Sequence, residues 1–107
     1  MKTAVINIKQ IFSDELNGIS FVGSRLIGEK IREEMDLKFG QNIDRITLDF
    51  LGIDEISQSF GDEIIGIYIR AFGTTFVRDK IALNNANQSI IDTLNFVVSY
   101  SKKKVAI

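Results

Sequence analysis

The sequence predicts one α/β domain in which strands and helices alternate along the chain. Short runs rich in β-branched residues alternate with longer amphipathic runs, a pattern typical of helices packed on a sheet. The length of 107 residues is that of one domain, and no linker, repeat or low-complexity segment divides it. We therefore expect a single domain over residues 1–107, with the order β-β-α-β-α-β-α. The predicted sheet is central, mixed and four-stranded, with about three helices packed around it.

The N-terminal third begins with two predicted strands. Residues 4–8 are short and β-branched, which favours a strand. The pair Asn17-Gly18 is a strong turn signal, so residues 19–23 are predicted to return as a second strand. The two strands would then form an N-terminal β-pair. The loop over residues 9–16 has room for a short helical turn.

A helix is predicted over residues 25–38. Ser24 precedes it and can accept a hydrogen bond from a free first-turn N–H as the N-cap. Apolar side chains recur every four residues on one face of this helix: Ile27, Ile31 and Met35. Charged residues occupy the remaining faces, so the helix is expected to have one buried side.

Residues 43–50 form the strongest strand prediction, and a helix over residues 59–72 follows. This second helix is apolar around most of its circumference, through Phe60, Ile64, Ile65, Ile67, Tyr68, Ile69, Ala71 and Phe72. A helix of that kind is either deeply buried or has one face on a partner.

The C-terminal third is predicted to hold the last strand and the last helix. Phe76-Val77 and residues 80–83 supply the strand, and Asn87 is a good N-cap for a helix that runs to about Lys102. Residues 102–104 are three lysines in the last turn of this helix. Cations in that position interact favourably with the negative end of the helix dipole, so the lysines do not require a nucleic-acid role.

Composition excludes several classes of function. The chain has no cysteine and no histidine, which removes thiol nucleophiles, thiolate metal sites and the commonest general base. Thirteen basic and fourteen acidic residues give a net charge of −1, so no nucleic acid or anionic membrane is expected as a partner. The longest apolar runs are too short for a membrane span, and residues 1–3 lead into a strand-like run and not into the apolar segment of a signal peptide. We therefore expect a cytoplasmic protein.

The acidic and glycine residues do not indicate an enzyme. A local group of carboxylates, Asp49, Asp54, Glu55, Asp62 and Glu63, matches no metal-binding loop, and solvated turn acids are far commoner. No phosphate-binding glycine motif is present. We therefore expect no metal, no cofactor and no catalytic activity.

The hydroxyl of Ser59 is the most informative polar group. Ser59-x-x-Asp62 has the form of a capping box, with Ser59 as the N-cap. The same position can carry a phosphoryl group, because free N–H groups at a helix start favour an anion. Asp62 and Glu63 would resist the added charge, and the modification would act as a repulsive switch on any acidic or close-packed partner. Both the structural and the functional interpretation remain open from the residues alone.

Three motifs resemble those of a known family. They are Phe21-Val22-Gly23-Ser24-Arg25, Leu48-Asp49-Phe50, and Ser59 to Glu63 at a helix start. In this order they resemble the STAS-like family of unknown function, which is similar to the STAS domains of bacterial anti-anti-sigma factors. The resemblance covers nearly the whole chain.

The resemblance implies a STAS-like fold and a non-catalytic interaction domain in a regulatory switch. Anti-anti-sigma factors bind a partner of the histidine-kinase-like ATPase fold, and phosphorylation of a serine at this helix start releases it. By position the candidate serine is Ser59, with Ser57 as the fallback. The implied partner-binding surface is the turn before the second helix and the exposed side of that helix, with these residues: Asp54, Glu55, Ile56, Gln58, Phe60, Asp62 and Glu63.

The chain also departs from the anti-anti-sigma pattern. Those factors have Asp-Ser-Ser-Gly where this chain has Ser57-Gln58-Ser59-Phe60. The aspartate is missing, and the bulky Phe60 would crowd a kinase site. We therefore expect this chain to share the docking surface of the anti-anti-sigma factors more closely than their phosphorylation.

Two alternatives come from other functional classes. The helix start at Ser59 could serve a small-ligand or nucleotide-binding module as an anion site. The apolar second helix could instead be buried in a homodimer, which would make the chain a self-associating structural subunit.

Overall fold

The computed structural model describes residues 1–13 and 18–105, with side chains to residue 104. The strands are β1 (Thr3–Asn7), β2 (Phe21–Val22), β3 (Arg45–Asp49), β4 (Glu55–Ile56) and β5 (Ile81–Asn84). The helices are α1 (Ile8–Ile11), α2 (Arg25–Gly40), α3 (Gln58–Gly61), a π-helical segment (Asp62–Gly66), α4 (Ile67–Phe72), α5 (Thr74–Lys80) and α6 (Gln88–Val105). The predicted α/β class is confirmed.

The strands form two separate parallel sheets. The larger sheet has the order β1-β3-β5, with Ala4 opposite Ile46 and Ile46 opposite Ile81. The smaller sheet pairs β2 with β4. The described strands therefore differ from the predicted mixed four-stranded sheet, because helical crossovers connect β1 to β3 and β3 to β5 and leave those strands parallel.

The predicted N-terminal β-pair is wrong. Phe21 and Val22 lie opposite Glu55 and Ile56 of β4, not opposite β1. β1 runs directly into α1, whose first turn is capped by the side chain of Asn7, which accepts a hydrogen bond from the Gln10 N–H at 2.8 Å. The chain therefore leaves the sheet at Ile8 instead of turning back along β1. Asn17 of the predicted Asn17-Gly18 turn lies outside the described residues, as do residues 14–16 of the loop over residues 9–16. The short helical turn for which that loop had room is present at its start, as α1.

Phe76 and Val77 are helical, so their assignment to the last strand was also wrong. They belong to α5, which follows a sharp change of direction at Gly73, where φ is +92°. In this helix the Phe76 ring packs against Phe39 and Phe72, with centroid distances of 5.6 and 4.8 Å. Tertiary packing of the aromatic ring therefore overrides the β propensity of this short run.

The helices of the two crossovers lie on one face of the larger sheet. Both crossovers step along the sheet in the same direction, from β1 to β3 and then from β3 to β5. Crossovers between parallel strands are right-handed as a rule, so two steps in one direction place their helices on the same side of the sheet. The inward side chains of the strands, such as Ile6, Ile46 and Leu48, are buried in the core. Val5, which alternates with these positions, points to the other face and is exposed.

The continuous helical stretch over residues 58–72, which we call the junction helix, lies between α2 and α6. Its buried residues include Ile64, Ile65, Tyr68 and Ile69. This central position explains why the sequence is apolar around most of the helix. The predicted exposed partner-binding side is therefore wrong for most of the helix, and the apolar circumference no longer requires a homodimer.

The longest helix is α6, with 18 residues. Within the residues that the structure describes, no helix combines the length and the apolar character that crossing a membrane requires.

Candidate functional site at the strand-to-helix junction

Ser57 caps the junction helix, two residues before the predicted cap. Its hydroxyl accepts a hydrogen bond from the Phe60 N–H at 3.0 Å and donates one to the Gly23 carbonyl at 2.9 Å. The Ser57 N–H also donates to the Val22 carbonyl at 3.0 Å, which continues the pairing of β4 with β2. Because this pairing fixes the chain as far as Ser57, the helix begins at Gln58, and the prediction of Ser59 as the N-cap was wrong.

Ser59 lies in the first turn and is half-buried. Its hydroxyl makes no hydrogen bond to any side chain or backbone group in the described part of the chain. It lines a cleft of about 540 Å³ between the start of the junction helix, α2 and α6. We call this the junction cleft, and its lining residues are Arg25, Gln58, Ser59, Asp62, Arg70, Phe96, Val97, Tyr100 and Lys104.

Asp62 joins two arginines at the floor of the junction cleft. Arg70 contacts it through both terminal nitrogens, at 2.7 Å to Oδ1 and 3.1 Å to Oδ2. Arg25 Nη1 lies 3.2 Å from Oδ2. The hydrogen bond from Arg70 and, to a lesser degree, the one from Arg25 hold the pKa of Asp62 below its ordinary value, although partial burial opposes the shift.

Glu63 does not face the cleft. Only 4% of its surface is exposed, and its carboxylate lies 3.1 Å from Arg25 Nη1 and 3.6 Å from Arg32 Nη2. Both acidic residues that follow Ser59 are therefore paired with arginines. The sequence-based expectation that these two carboxylates would repel a charge on Ser59 does not fit this arrangement.

The ion-pair network continues along α2. Arg32 lies 3.6 Å from Asp36, which accepts a hydrogen bond from the Tyr68 hydroxyl. Burial, together with this hydrogen bond to a carboxylate, raises the pKa of Tyr68 well above its usual range. Tyr68 therefore remains a protonated donor that ties the end of the junction helix to α2.

The π-helical segment brings the junction helix very close to α6. A Cβ atom on Gly66 would clash with Asp62 Oδ1 and would lie 2.9 Å from both Ser101 Oγ and Val97 Cγ1. Arg70 Nη1 also donates to the buried Ser101 Oγ at 3.0 Å. The absence of a side chain at Gly66 thus leaves room for the Asp62–Arg70 pair.

The predicted partner-binding residues divide into two groups. Asp54, Glu55 and Gln58 are exposed, and Asp62 is partly exposed at the cleft floor. Ile56, Phe60 and Glu63 are buried, so their prediction as partner-binding residues is corrected. Phe60 in particular points into the core, and it does not crowd the surface next to Ser59.

The local group of carboxylates is dispersed in the structure. Asp49 accepts hydrogen bonds from the Leu51 N–H at 3.0 Å and from Asn85 Nδ2 at 2.9 Å, at the end of β3. Asp62 and Glu63 are held by arginines as described above. Within residues 1–13 and 18–104, no three acidic side chains converge as ligands for one metal ion.

The sequence did not identify the basic side chains of the cleft. Arg25, Arg70 and Lys104 come from three helices, and no short spacing in the chain connects them. The local signal for the Asp62–Arg70 pair was weak. These two residues lie eight residues apart, whereas side chains that are neighbours on a helix are about three or four residues apart.

The structure is a small α/β domain with a cleft at the start of a buried helix. Comparison with known families gives a match to residues 28–90 by the family described as STAS-like domain of unknown function (DUF4325). The chain belongs to this family of STAS-like domains. The matched stretch contains two of the three motifs noted in the sequence, Leu48-Asp49-Phe50 and Ser59 to Glu63. Comparisons with curated proteins and with solved structures gave no match.

The two serines at the junction are expected to differ in their effect on stability. Ser57→Ala removes the N-cap and leaves the Gly23 carbonyl without its donor, so the free energy of unfolding should fall by about 1–2 kcal/mol. Ser59→Ala removes a hydroxyl with no partner among the described residues, so its effect should stay within about 0.5 kcal/mol. Urea unfolding of both variants measures the difference. Equal losses would contradict the assignment of Ser57 as the cap.

Asp62 is expected to contribute to acid sensitivity. Its folded-state pKa lies below the ordinary value of 3.8, so its contribution is present above the unfolded-state pKa. That contribution is lost as the pH falls through the folded-state pKa. In urea unfolding between about pH 5 and about pH 2, Asp62→Asn should lose less stability than the wild type. Arg70→Gln, which removes the main cause of the shift, should also flatten the profile. Profiles of both variants parallel to that of the wild type would contradict this role.

Proposed function

We propose that this chain is a non-catalytic interaction domain of a regulatory switch, and that it binds a protein partner of the histidine-kinase-like ATPase fold. The chain belongs to the STAS-like family, and its strand-to-helix junction resembles that of anti-anti-sigma factors, which supports the proposal. The observation that carries it is the surface around Ser59. There a serine hydroxyl that lacks a partner among the described residues lies beside two exposed aromatic side chains, Phe96 and Tyr100.

The composition of this surface resembles that of protein interfaces. Phe96 is 53% exposed and Tyr100 is 49% exposed, on the side of α6 that lines the junction cleft. Aromatic residues and arginine are enriched at interface cores and among the residues that dominate binding energy. We define the docking surface by these residues: Asp54, Glu55, Gln58, Ser59, Phe96 and Tyr100. It keeps the exposed members of the sequence-based prediction and adds the two rings of α6.

Ser59 is the proposed phosphorylation site, and Ser57 is the weaker candidate. The Ser57 hydroxyl is engaged by Phe60 and Gly23, so its modification would disrupt the start of the helix. A phosphoryl group on Ser59 would place roughly −1.5 to −2 charges in the docking surface. Since Asp62 and Glu63 are paired with arginines, the switch would act by changing the charge that the partner meets, not by repulsion within this chain.

The test uses a purified histidine-kinase-like ATPase from the same organism. The chain and the ATPase are mixed, their affinity is measured by calorimetry, and phosphorylation is followed by intact mass after addition of ATP. We expect Phe96→Ala to weaken binding by about tenfold or more. We expect Ser59→Asp to weaken it too, while Ser59→Ala should bind but should not gain phosphate.

Phe72→Ala is the matched control, because Phe72 is an exposed phenylalanine that belongs to the aromatic cluster around Tyr68 and Phe76. It should leave the affinity unchanged. Absence of binding to the ATPase, or equal losses for Phe72→Ala and Phe96→Ala, would refute the proposed docking surface. Phosphate transferred to Ser57 instead of Ser59 would refute the assignment of the modified serine.

A further inference from the structure

We infer that the junction cleft is a binding site for a phosphate monoester, a small organic molecule that carries one phosphate group. Three cationic side chains from three helices line the cleft: Arg25 of α2, Arg70 of α4 and Lys104 of α6. One carboxylate, that of Asp62, also lines it. The formal charge of the lining is therefore +2, which matches the roughly −1.5 to −2 charges of a phosphate monoester near pH 7.

Two of the three cations retain capacity for an anion. Arg25 contacts Asp62 and Glu63 through Nη1 alone, at 3.2 and 3.1 Å, and its side chain is exposed. Its Nη2 and Nε make no hydrogen bond with the described residues. Lys104 Nζ lies 5.2 Å from the centroid of the Tyr100 ring, and no carboxylate of the described residues pairs with it. The Asp62–Arg70 pair holds the floor of the cleft, and Arg25 and Lys104 are the proposed anion ligands.

The polar groups around these cations favour phosphate over a second carboxylate. Arg25 offers the planar fork that binds two oxygens of one anion, and phosphate has more acceptor oxygens than a carboxylate has. Ser59 and Tyr100 add hydroxyl groups to the lining, and Gln58 adds an amide. Together these side chains supply donors for several oxygens of one tetrahedral anion.

The apolar part of the cleft accounts for the organic portion of the ligand. Phe96, Val97 and the Tyr100 ring line it together with the cations. Its volume of about 540 Å³ falls within the range of small-molecule sites, which is roughly 300–1,000 Å³. An inorganic phosphate would leave the apolar wall uncovered, so an esterified phosphate with an aromatic or apolar group fits the lining better.

This site goes beyond the proposed protein interaction and does not depend on it. The ligand and the protein partner would share Gln58, Ser59, Phe96 and Tyr100, so a bound phosphate monoester would compete with the partner for the surface. The test below uses this chain alone, and its result is therefore separate from that of the ATPase experiment.

The test is a titration of the ¹⁵N-labelled chain by NMR with three probes: phenyl phosphate, inorganic phosphate and phenol. We expect phenyl phosphate to give saturable shifts at the amides of Arg25, Ser59, Tyr100 and Lys104. Inorganic phosphate should bind the same residues about tenfold more weakly, because it lacks the apolar group. Phenol, which lacks the charge, should cause no saturable shift.

Two variants test the cations, and one serves as the matched control. Lys104→Gln and Arg25→Gln should each weaken phenyl phosphate by about five- to tenfold. Lys102→Gln makes the same charge change on an exposed residue of α6 outside the cleft lining, and it should change the affinity by less than about twofold. Lys104 is exposed and makes no ion pair with the described residues, so its variant tests the site even if Arg25→Gln disturbs the fold.

Three results would overturn the inference. The first is the absence of saturable shifts in the cleft with phenyl phosphate up to about 10 mM. The second is an equal loss of affinity for Lys102→Gln and Lys104→Gln, which would show non-specific attraction by the basic end of α6. The third is binding of inorganic phosphate or phenol as tight as that of phenyl phosphate, which would refute the monoester assignment.

Discussion

Phe60→Ala is expected to lower the free energy of unfolding by about 3–5 kcal/mol, the largest effect predicted for a residue of the junction. Phe60 is completely buried and is among the largest fully buried side chains of the protein. It belongs to the same core cluster as Ile56 and Ile64, which lie before and after it in the chain. Its truncation removes apolar contacts and leaves a cavity between the junction helix and the rest of the core.

Urea unfolding measures this loss, and Phe96→Ala is the control. Phe96 is more than half exposed, so its truncation should cost about 1 kcal/mol or less. If the proposed function holds, the two variants should rank in the opposite order in partner binding, since Phe96 belongs to the proposed docking surface and Phe60 lies in the core. A loss below about 1 kcal/mol for Phe60→Ala would contradict the burial of this ring.

Gly28→Ala is expected to destabilise the protein by about 1–3 kcal/mol, although alanine is the better helix former. A Cβ atom at this position would lie 2.8 Å from Glu63 Cβ and 3.2 Å from the Phe60 carbonyl oxygen. Neither atom is the far end of a flexible side chain, so α2 and the junction helix would have to move apart. That movement would also disturb the pairing of Glu63 with Arg25 and Arg32.

Gly40→Ala provides a control of opposite sign in the same helix. A Cβ atom on Gly40 would meet no heavy atom within 4 Å, so the substitution should stabilise the protein by up to about 1 kcal/mol. Thermal or urea unfolding of the two variants gives both signs in one experiment. If Gly28→Ala also stabilised the protein, the close contact between the two helices would be refuted.

The elements that depend on local signals were predicted well. The predicted helix over residues 25–38 is α2, and Ser24 caps it by accepting a hydrogen bond from the Ile27 N–H at 3.3 Å. Asn87 caps α6 in the same way, through the Ile90 N–H at 3.0 Å. In both cases the cap and the apolar spacing lie within a few residues of each other, so neighbouring positions contain the necessary information.

The features that depend on distant residues were not predicted. Ser57 becomes the cap because its hydroxyl and its N–H bind the carbonyls of Gly23 and Val22, which lie far away in the chain. Two serines of similar capping preference flank Gln58, and only the pairing of β2 with β4 distinguishes them. The cations of the junction cleft likewise come from α2, α4 and α6, so no motif within one segment could reveal them.

The parallel pairing of the larger sheet has a consequence for folding during synthesis. β1 has no strand partner until β3 has been made, since Ala4 lies opposite Ile46, and β3 gains its second neighbour only with β5. No pair in this sheet is a local hairpin, and non-local pairing of this kind slows folding. α2, which is amphipathic and capped by its own Ser24, depends on local interactions and can therefore form before the strands of this sheet have paired.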